Sequence, residues 1–329
     1  MTKRVLLVLL VLVCSMALVS CRRQGPREDR VALYANITAI EPVLEDFRRQ
    51  TGLTAEYTRI STTAFLATVF TEFEANRLLA DVIQAPMPVM ELLAARGILA
   101  PYVSPSAANF PDWARREADG IYMFAIEYVT IIYNRNIISP EDVPTSFMDL
   151  TDPMWRDRIV MPNPSIHATT ISWLVALREH YFNNDDARWR QFLHGVAANN
   201  PMFVASFGPT PAPIASGERP IGISMPKYIV THAPAPLGWA RMEPVMGTAR
   251  GIGISSRAPN PEGARRFIDY WLSAEAGRIL ADDVGEYVLV PGIFPPIDGM
   301  DTARVIPIQD LSDEEIMSWS AEFRTIFGI

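Results

Sequence analysis

The stretch that most constrains this chain runs from Gly120 to Asn136, Gly-Ile-Tyr-Met-Phe-Ala-Ile-Glu-Tyr-Val-Thr-Ile-Ile-Tyr-Asn-Arg-Asn. It is apolar, β-branched and aromatic, with Glu127 and Thr130 as its main polar interruptions. A strand with one wet face would alternate; this run predicts a long strand buried on both faces. Short β-α units precede and follow it. It is therefore expected to leave one α/β lobe and enter another, with a cleft beside it and with Glu127 and Tyr128 near the hinge. A central strand of a single domain gives the same pattern, because length bounds domain number only loosely.

The N-terminus reads as an export signal. Lys3 and Arg4 form a positive start, Val5 to Val13 is apolar but short for a membrane span, and Leu18-Val19-Ser20-Cys21 resembles the bacterial lipobox. Cys21 is the expected lipidation site, anchoring the protein without a transmembrane helix. Removing residues 1–20 takes two bases with it and leaves 27 Lys and Arg against 37 Asp and Glu, a formal charge of −10. So acidic a body argues against nucleic-acid binding. The mature chain keeps one Cys, which excludes a disulfide framework or a Cys-based metal site.

The mature chain alternates strand and helix patterns. Val31–Tyr34, Leu53–Tyr57 and Ala80–Ile83 read as strands. Between them Ile40, Val43, Leu44 and Phe47 fall at i, i+3, i+4, i+7 on one helix face, opened by a capping box at Thr38–Glu41 and closed by Gly52. Ser61-Thr62-Thr63 opens the next helix, and Val89–Arg96 the third. After the long strand come further strands at Arg158–Met161, Met202–Ala205 and Pro220–Met225, with helices at Ile171–His180 and Asp185–Val196. Gly247–Ser255 reads as the return crossing. Asn260-Pro261, Ser273 and the box Ser312–Glu315 mark three later helix starts.

Six short motifs then stand in order: Phe47-Arg48-Arg49-Gln50-Thr51-Gly52, Leu79-Ala80-Asp81-Val82, Gly97-Ile98-Leu99-Ala100-Pro101-Tyr102, Ile132-Tyr133-Asn134, Asp149-Leu150-Thr151-Asp152-Pro153-Met154-Trp155, and Ala264 to Ser273. Together they resemble the substrate-binding proteins of bacterial ABC importers, in the group containing ferric-iron, phosphonate and polyamine binders. The resemblance implies an α/β, two-lobe periplasmic-binding-protein-like (type II) fold with crossing strands. It implies a signal peptide over 1–20 and a lipidated tether over 21–30. One lobe is expected from 31–124 plus about 250–290, the other from about 125–249 plus about 291–329. It further implies a monomer, lipid-anchored at the cell envelope, that traps a small molecule by hinge closure and delivers it to a membrane permease, with no cofactor and no catalysis.

Ligands of open α/β sheets sit beyond the carboxyl ends of strands. That rule selects Tyr34 and Asn36 after the first strand, Gln84 after the third, and Lys227 and Tyr228 after a strand of the second lobe. Ser61, Thr62 and Thr63, and Ser165, Thr169 and Thr170, stand at two helix entrances that could offer amides to an anion, although helix capping alone explains each of them. Lys227 is the only Lys of the mature chain. Ferric binders of the resembling group carry a Tyr-Tyr pair where this chain has Lys227-Tyr228, so only Tyr228 matches. These residues point to a small anionic solute, with ferric iron held through Tyr228 as the alternative and no other metal expected. The four His lie in no close metal spacing, there is no G-x-S-x-G elbow, and Gly251-x-Gly253 lacks the third glycine of a dinucleotide fingerprint. Readings of another class are a ligand-binding subunit serving a sensor and a hydrolase on the same fold.

Overall fold

A computed structural model describes residues 29–309 and 311–329, apart from the side chains of Thr62, Thr63 and Asp313. The expected signal peptide, tether and Cys21 lipidation site lie outside the described residues, except that Asp29 and Arg30 close the expected tether. Among the described residues no helix is long and apolar enough to cross a membrane.

Strands β1 (Arg30–Ala35), β2 (Thr54–Arg59) and β3 (Val82–Pro86) alternate with helices α1 (Glu41–Thr51), α2 (Thr62–Glu74) and α3 (Met87–Ala95). β1 pairs in parallel with both β2 and β3, a pairing that needs helical crossovers. α1 ends at Gly52 in the left-handed conformation, φ 75°, where a side chain would be strained. Its expected capping box does not form. Ala39 takes a left-handed φ of 62° just before the helix, and the N-cap is Ile40 with no side-chain cap.

Short strands β4 (Leu99–Ala100) and β5 (Arg115–Arg116) lead into β6 (Ile121–Asn134). Beyond it follow β7 (Ile159–Pro162), α4 (Ala168–His180), α5 (Asp186–Ala198), β8 (Met202–Val204), α6 (Pro211–Ser216), β9 (Ile221–Ser224), α7 (Lys227–Thr231) and β10 (Leu237–Ala240). β11 (Val245–Ser255) then returns, before α8 (Pro261–Trp271), α9 (Ala274–Asp282), β12 (Tyr287–Val288), β13 (Val305–Pro307) and α10 (Asp313–Phe327). The helix starts marked by Asn260, Ser273 and the Ser312–Glu315 box all form with their side-chain caps.

β6 is the shared element. Its first part, Tyr122 to Val129, pairs antiparallel with β11, and Thr130 to Tyr133 pair with β9. Eleven of its 14 residues are buried; only Met123, Glu127 and Tyr133 are half-exposed. The hydrophobic core divides along it. Phe124, Ile126 and Tyr128 pack with Phe47, Phe267 and Trp271, whereas Val129 and Ile131 pack with Phe147, Trp173 and Trp189. The C-terminal segment divides likewise: Ile297 and Met300 join the first core, Ile308 and Phe323 the second. The chain thus folds as a mixed α/β structure whose two largest cores are joined through β6 and β11, with smaller clusters around Phe65 and Met90 and around Ile132 and Ile214.

Candidate functional site

Between the two cores lies a cavity of about 450 Å3. Asn36, Thr38 and Arg59 line it from the side of β1 and β2; His167, Ser206, Phe207 and the residues of α7 line it from the other side. Glu127 of β6 and Arg250 of β11 form its base.

The loop after β1 is held from two directions. Gln84 Oε1 accepts the Ile37 amide at 3.1 Å, and the Tyr57 hydroxyl donates to the Ile37 carbonyl. Those two bonds position Asn36 and Thr38 at the cavity. Arg59, at the carboxyl end of β2, is exposed and makes no ion pair among the described residues. Arg59, Glu41 and Arg250 all act electrostatically on the Tyr57 hydroxyl.

Arg250 stands where the register of β11 against β6 shifts: β6 carries the extra residue, Phe124, opposite the step from Arg250 to Gly251. Such a bulge re-aims the side chain beside it. Close approach of the two strands is possible because residue 247 is glycine; a Cβ there would sit 2.0 Å from the Glu127 carbonyl oxygen. Arg250 Nη2 lies 3.1 Å from Glu127 Oε1, its Nε donates to Glu286 Oε2 at 3.1 Å, and Nη1 points to Asn36 Oδ1 at 3.4 Å. Lys227 Nζ donates to Glu286 Oε1 at 2.6 Å. Burial by itself would raise the Glu286 carboxyl, but Arg250 and Lys227 outweigh it and hold the group below the ordinary carboxylate range. Burial works to neutralise Arg250, and Glu127 and Glu286 more than offset it.

The aromatic and imidazole wall is uncharged. Burial raises the Tyr228 phenol, and Glu127 adds to the shift, so the hydroxyl keeps its proton and can donate. The His232 ring stands edge-on to Tyr228, and burial lowers its basicity. His167 caps α4: its Nδ1 accepts the Thr170 amide at 3.3 Å and lies 2.8 Å from Thr170 Oγ1. Burial lowers its basicity too, against a smaller opposing pull from Glu127.

Of the residues singled out in the sequence, the cavity gathers Asn36, Glu127, Lys227 and Tyr228. The others do not line it. The Tyr34 hydroxyl bonds Glu72 at 3.0 Å, and Gln84 supports the Ile37 loop from within the core. Tyr128 is wholly buried and donates to the Gly285 carbonyl at 2.8 Å. Ser61, Thr62 and Thr63 open α2. Ser165 turns back onto Asn163, and Thr169 and Thr170 lie inside the first turn of α4 behind its cap, His167. Lys227 is at the cavity, but its ammonium is committed to Glu286, which changes its expected part. Sequence reasoning missed Arg59, His167, Ser206, His232, Arg250 and Glu286. Arg59 could have been found by the rule that found Gln84, since it too ends a strand. Arg250 was visible as an arginine inside an apolar, glycine-rich strand, where an unpaired charge cannot stand.

A family model described as bacterial extracellular solute-binding protein matches residues 79–311. Iron uptake protein A2 of Synechocystis sp. is 28% identical over 200 residues, 56% of each chain, so the match spans little more than half of that relative's length. Among solved structures, the substrate binding protein of an ABC transporter from Agrobacterium tumefaciens superimposes with a TM-score of 0.75 at 14% identity, covering 91% of this chain and 95% of that one. Iron-bound HitA from Pseudomonas aeruginosa gives 0.70 at 17% identity, covering 91% and 99%. At these identities the structural likeness bears on the fold alone.

Proposed function

The chain belongs to the bacterial extracellular solute-binding protein family, and on that premise we propose that it is the exported substrate-binding component of an ABC importer. In this reading the two cores are two lobes; the boundary on β6 falls between Tyr128 and Val129 instead of near residue 124, and the C-terminal segment passes to the second lobe between Ala303 and Ile308 instead of near residue 291. β6 and β11 are the hinge strands, and the cavity is the ligand cleft. The protein works as a lipid-anchored monomer, held through Cys21, that closes on a small anionic solute and hands it to a membrane permease. One observation carries the ligand class: the exposed Arg59 and the buried Arg250 both line the cavity, with Asn36, Thr38 and the protonated Tyr228 as further donors. Charge-assisted hydrogen bonds of this kind are the strong ones for carboxylate or phosphate groups. No covalent chemistry is needed; capture and release are the whole function.

A thermal-shift screen of the purified protein against carboxylates, phosphonates, sugar phosphates, polyamines and ferric citrate tests this, because a ligand of the native state raises the midpoint by mass action. Hits among anions, with a smaller radius of gyration by solution scattering at saturation, are expected. Stabilisation by polyamines alone would overturn the ligand class, and an unchanged radius would overturn hinge closure.

Ferric iron is the second reading, favoured by Tyr228 standing at the cavity beside Glu127. It requires Tyr228 as a phenolate, against the direction in which its surroundings push it. Tyr228→Phe separates the two: iron binding should be abolished, whereas binding of an organic anion should weaken only by the loss of one hydrogen bond, about two- to tenfold.

A further inference from the structure

The charged groups around the cleft can be paired one against another, and the pairing leaves a defined remainder. Glu286 is fully buried and lies between Lys227 at 2.6 Å and Arg250 at 3.1 Å. It balances one of those two positive charges. Glu127, 3.1 Å from Arg250 on the cavity side, balances the other. Arg59 is the remaining cation of the cavity lining, and it has no carboxylate partner among the described residues. The two imidazoles of the wall add no charge. His167 faces Thr170, Phe207 and, more distantly, Glu127; His232 faces Thr231 and Tyr228.

Counted over the cavity lining and Glu286, the sum is one positive charge, carried by Arg59, with the Glu127 carboxylate partly exposed to whatever enters. Glu127 keeps 17% of its side chain exposed, whereas Glu286 has none. A first negative charge on a ligand meets Arg59, the exposed cation of the lining, since Arg250 is buried against Glu127, Glu286 and Asn36. A second has no free cation and stands against Glu127 in a partly desolvated space, where like charges repel strongly.

We propose that the cleft selects ligands carrying a single net negative charge and that Glu127 is the residue that enforces the limit. The inference rests on the reading of this cavity as an anion site and deepens it. It makes Glu127 a specificity determinant rather than a ligand-gripping group. It also directs attention to phosphodiesters, monocarboxylates and acids that carry a compensating amine, and away from free phosphomonoesters in their doubly charged form.

The test uses two probes of similar size, dimethyl phosphate and methyl phosphate, titrated calorimetrically into the whole protein at about pH 8. At that pH the monoester is doubly charged, since its second ionisation lies near pH 6, and the diester is singly charged. The wild type is expected to bind the diester at least about tenfold more tightly than the monoester. In Glu127→Gln, which keeps the shape and removes the charge, that preference should vanish or invert. Equal binding of both probes by the wild type, tighter binding of the monoester, or an unchanged ratio in the variant would overturn the proposal while leaving the anion reading intact. Failure of both probes to bind the wild type at millimolar concentration would remove the anion reading itself.

Discussion

Lys227 and Glu286, 59 positions apart in the chain, meet at 2.6 Å in a place where neither side chain is more than 5% exposed. The same carboxylate also holds Arg250. Lys227 begins α7 on the far wall of the cavity, and Glu286 stands just before β12, which pairs with β6. The contact therefore ties the far wall to the base of the cleft. Buried ion pairs recover a large desolvation cost only through close geometry, and they are most damaging when half broken.

Glu286→Gln should accordingly destabilise the fold by about 3–5 kcal/mol, because it leaves the buried Lys227 ammonium facing a neutral amide and removes one of the two carboxylates of Arg250. Lys227→Met should cost less, since Arg250 still neutralises the carboxylate. Urea unfolding of the three proteins decides the matter. Equal losses would show that Arg250 does not share the carboxylate.

Acid should weaken the protein, and the signs agree across the groups. Glu286 titrates lower folded than unfolded, so its contribution is present above the unfolded carboxyl value, 4.5, and is lost as pH falls through the folded value. His167 and His232 are held below 6.5 by burial. Below about pH 6.5 the unfolded chain takes up those protons first, so stability declines from there downward. Denaturation midpoints measured from neutral to acid pH should fall in two stages, and the lower stage should be smaller in Glu286→Gln but not lost, because Asp46, Asp149 and Glu315 are also held below the ordinary carboxylate range. A rise in stability on acidification from pH 7 to pH 5 would contradict these assignments.

Gly285 has φ 72°, and a Cβ there would lie 2.8 Å from the Lys227 carbonyl oxygen. Its own carbonyl accepts the Tyr128 hydroxyl. Gly285→Ala should therefore cost about 1–3 kcal/mol through strained backbone alone, and more if α7 is displaced. Replacing Gly52, which also has positive φ but open space around it, should cost only the backbone part. Equal losses at both positions would show that the contact with Lys227 contributes nothing.

Tyr57→Phe removes the hydroxyl that bonds the Ile37 carbonyl while keeping the ring in place. The loss of one hydrogen bond, about 0.5–1.5 kcal/mol, should appear as roughly two- to tenfold weaker ligand binding, because Asn36 and Thr38 are then held from the Gln84 side only. Calorimetric titration with whichever anion the screen identifies measures it; an unchanged affinity would mean that Gln84 alone fixes the loop.

Local causes were legible in the sequence. The buried strand expected over Gly120–Asn136, which forms as Ile121–Asn134 and leaves Arg135 and Asn136 exposed, the end of α1 at Gly52, and the caps at Asn260, Ser273 and Ser312 each depend on residues within a few positions of one another. The rule of strand carboxyl ends likewise located Asn36, Lys227 and Tyr228, since topology alone sends those ends to one side of a sheet. The capping box at Thr38 was a local motif too, but Ile37 is held by Tyr57 and Gln84, which stand 20 and 47 positions away, and Ala39 turns the chain before α1 can begin. The charge network lies furthest from what the chain alone can show. Nothing near Glu286 marks its partners, because the Coulomb energy depends on distance in space and on the loss of water around the pair, and only the folded sheet brings Arg250, 36 positions earlier, and Lys227, 59 positions earlier, to the same carboxylate.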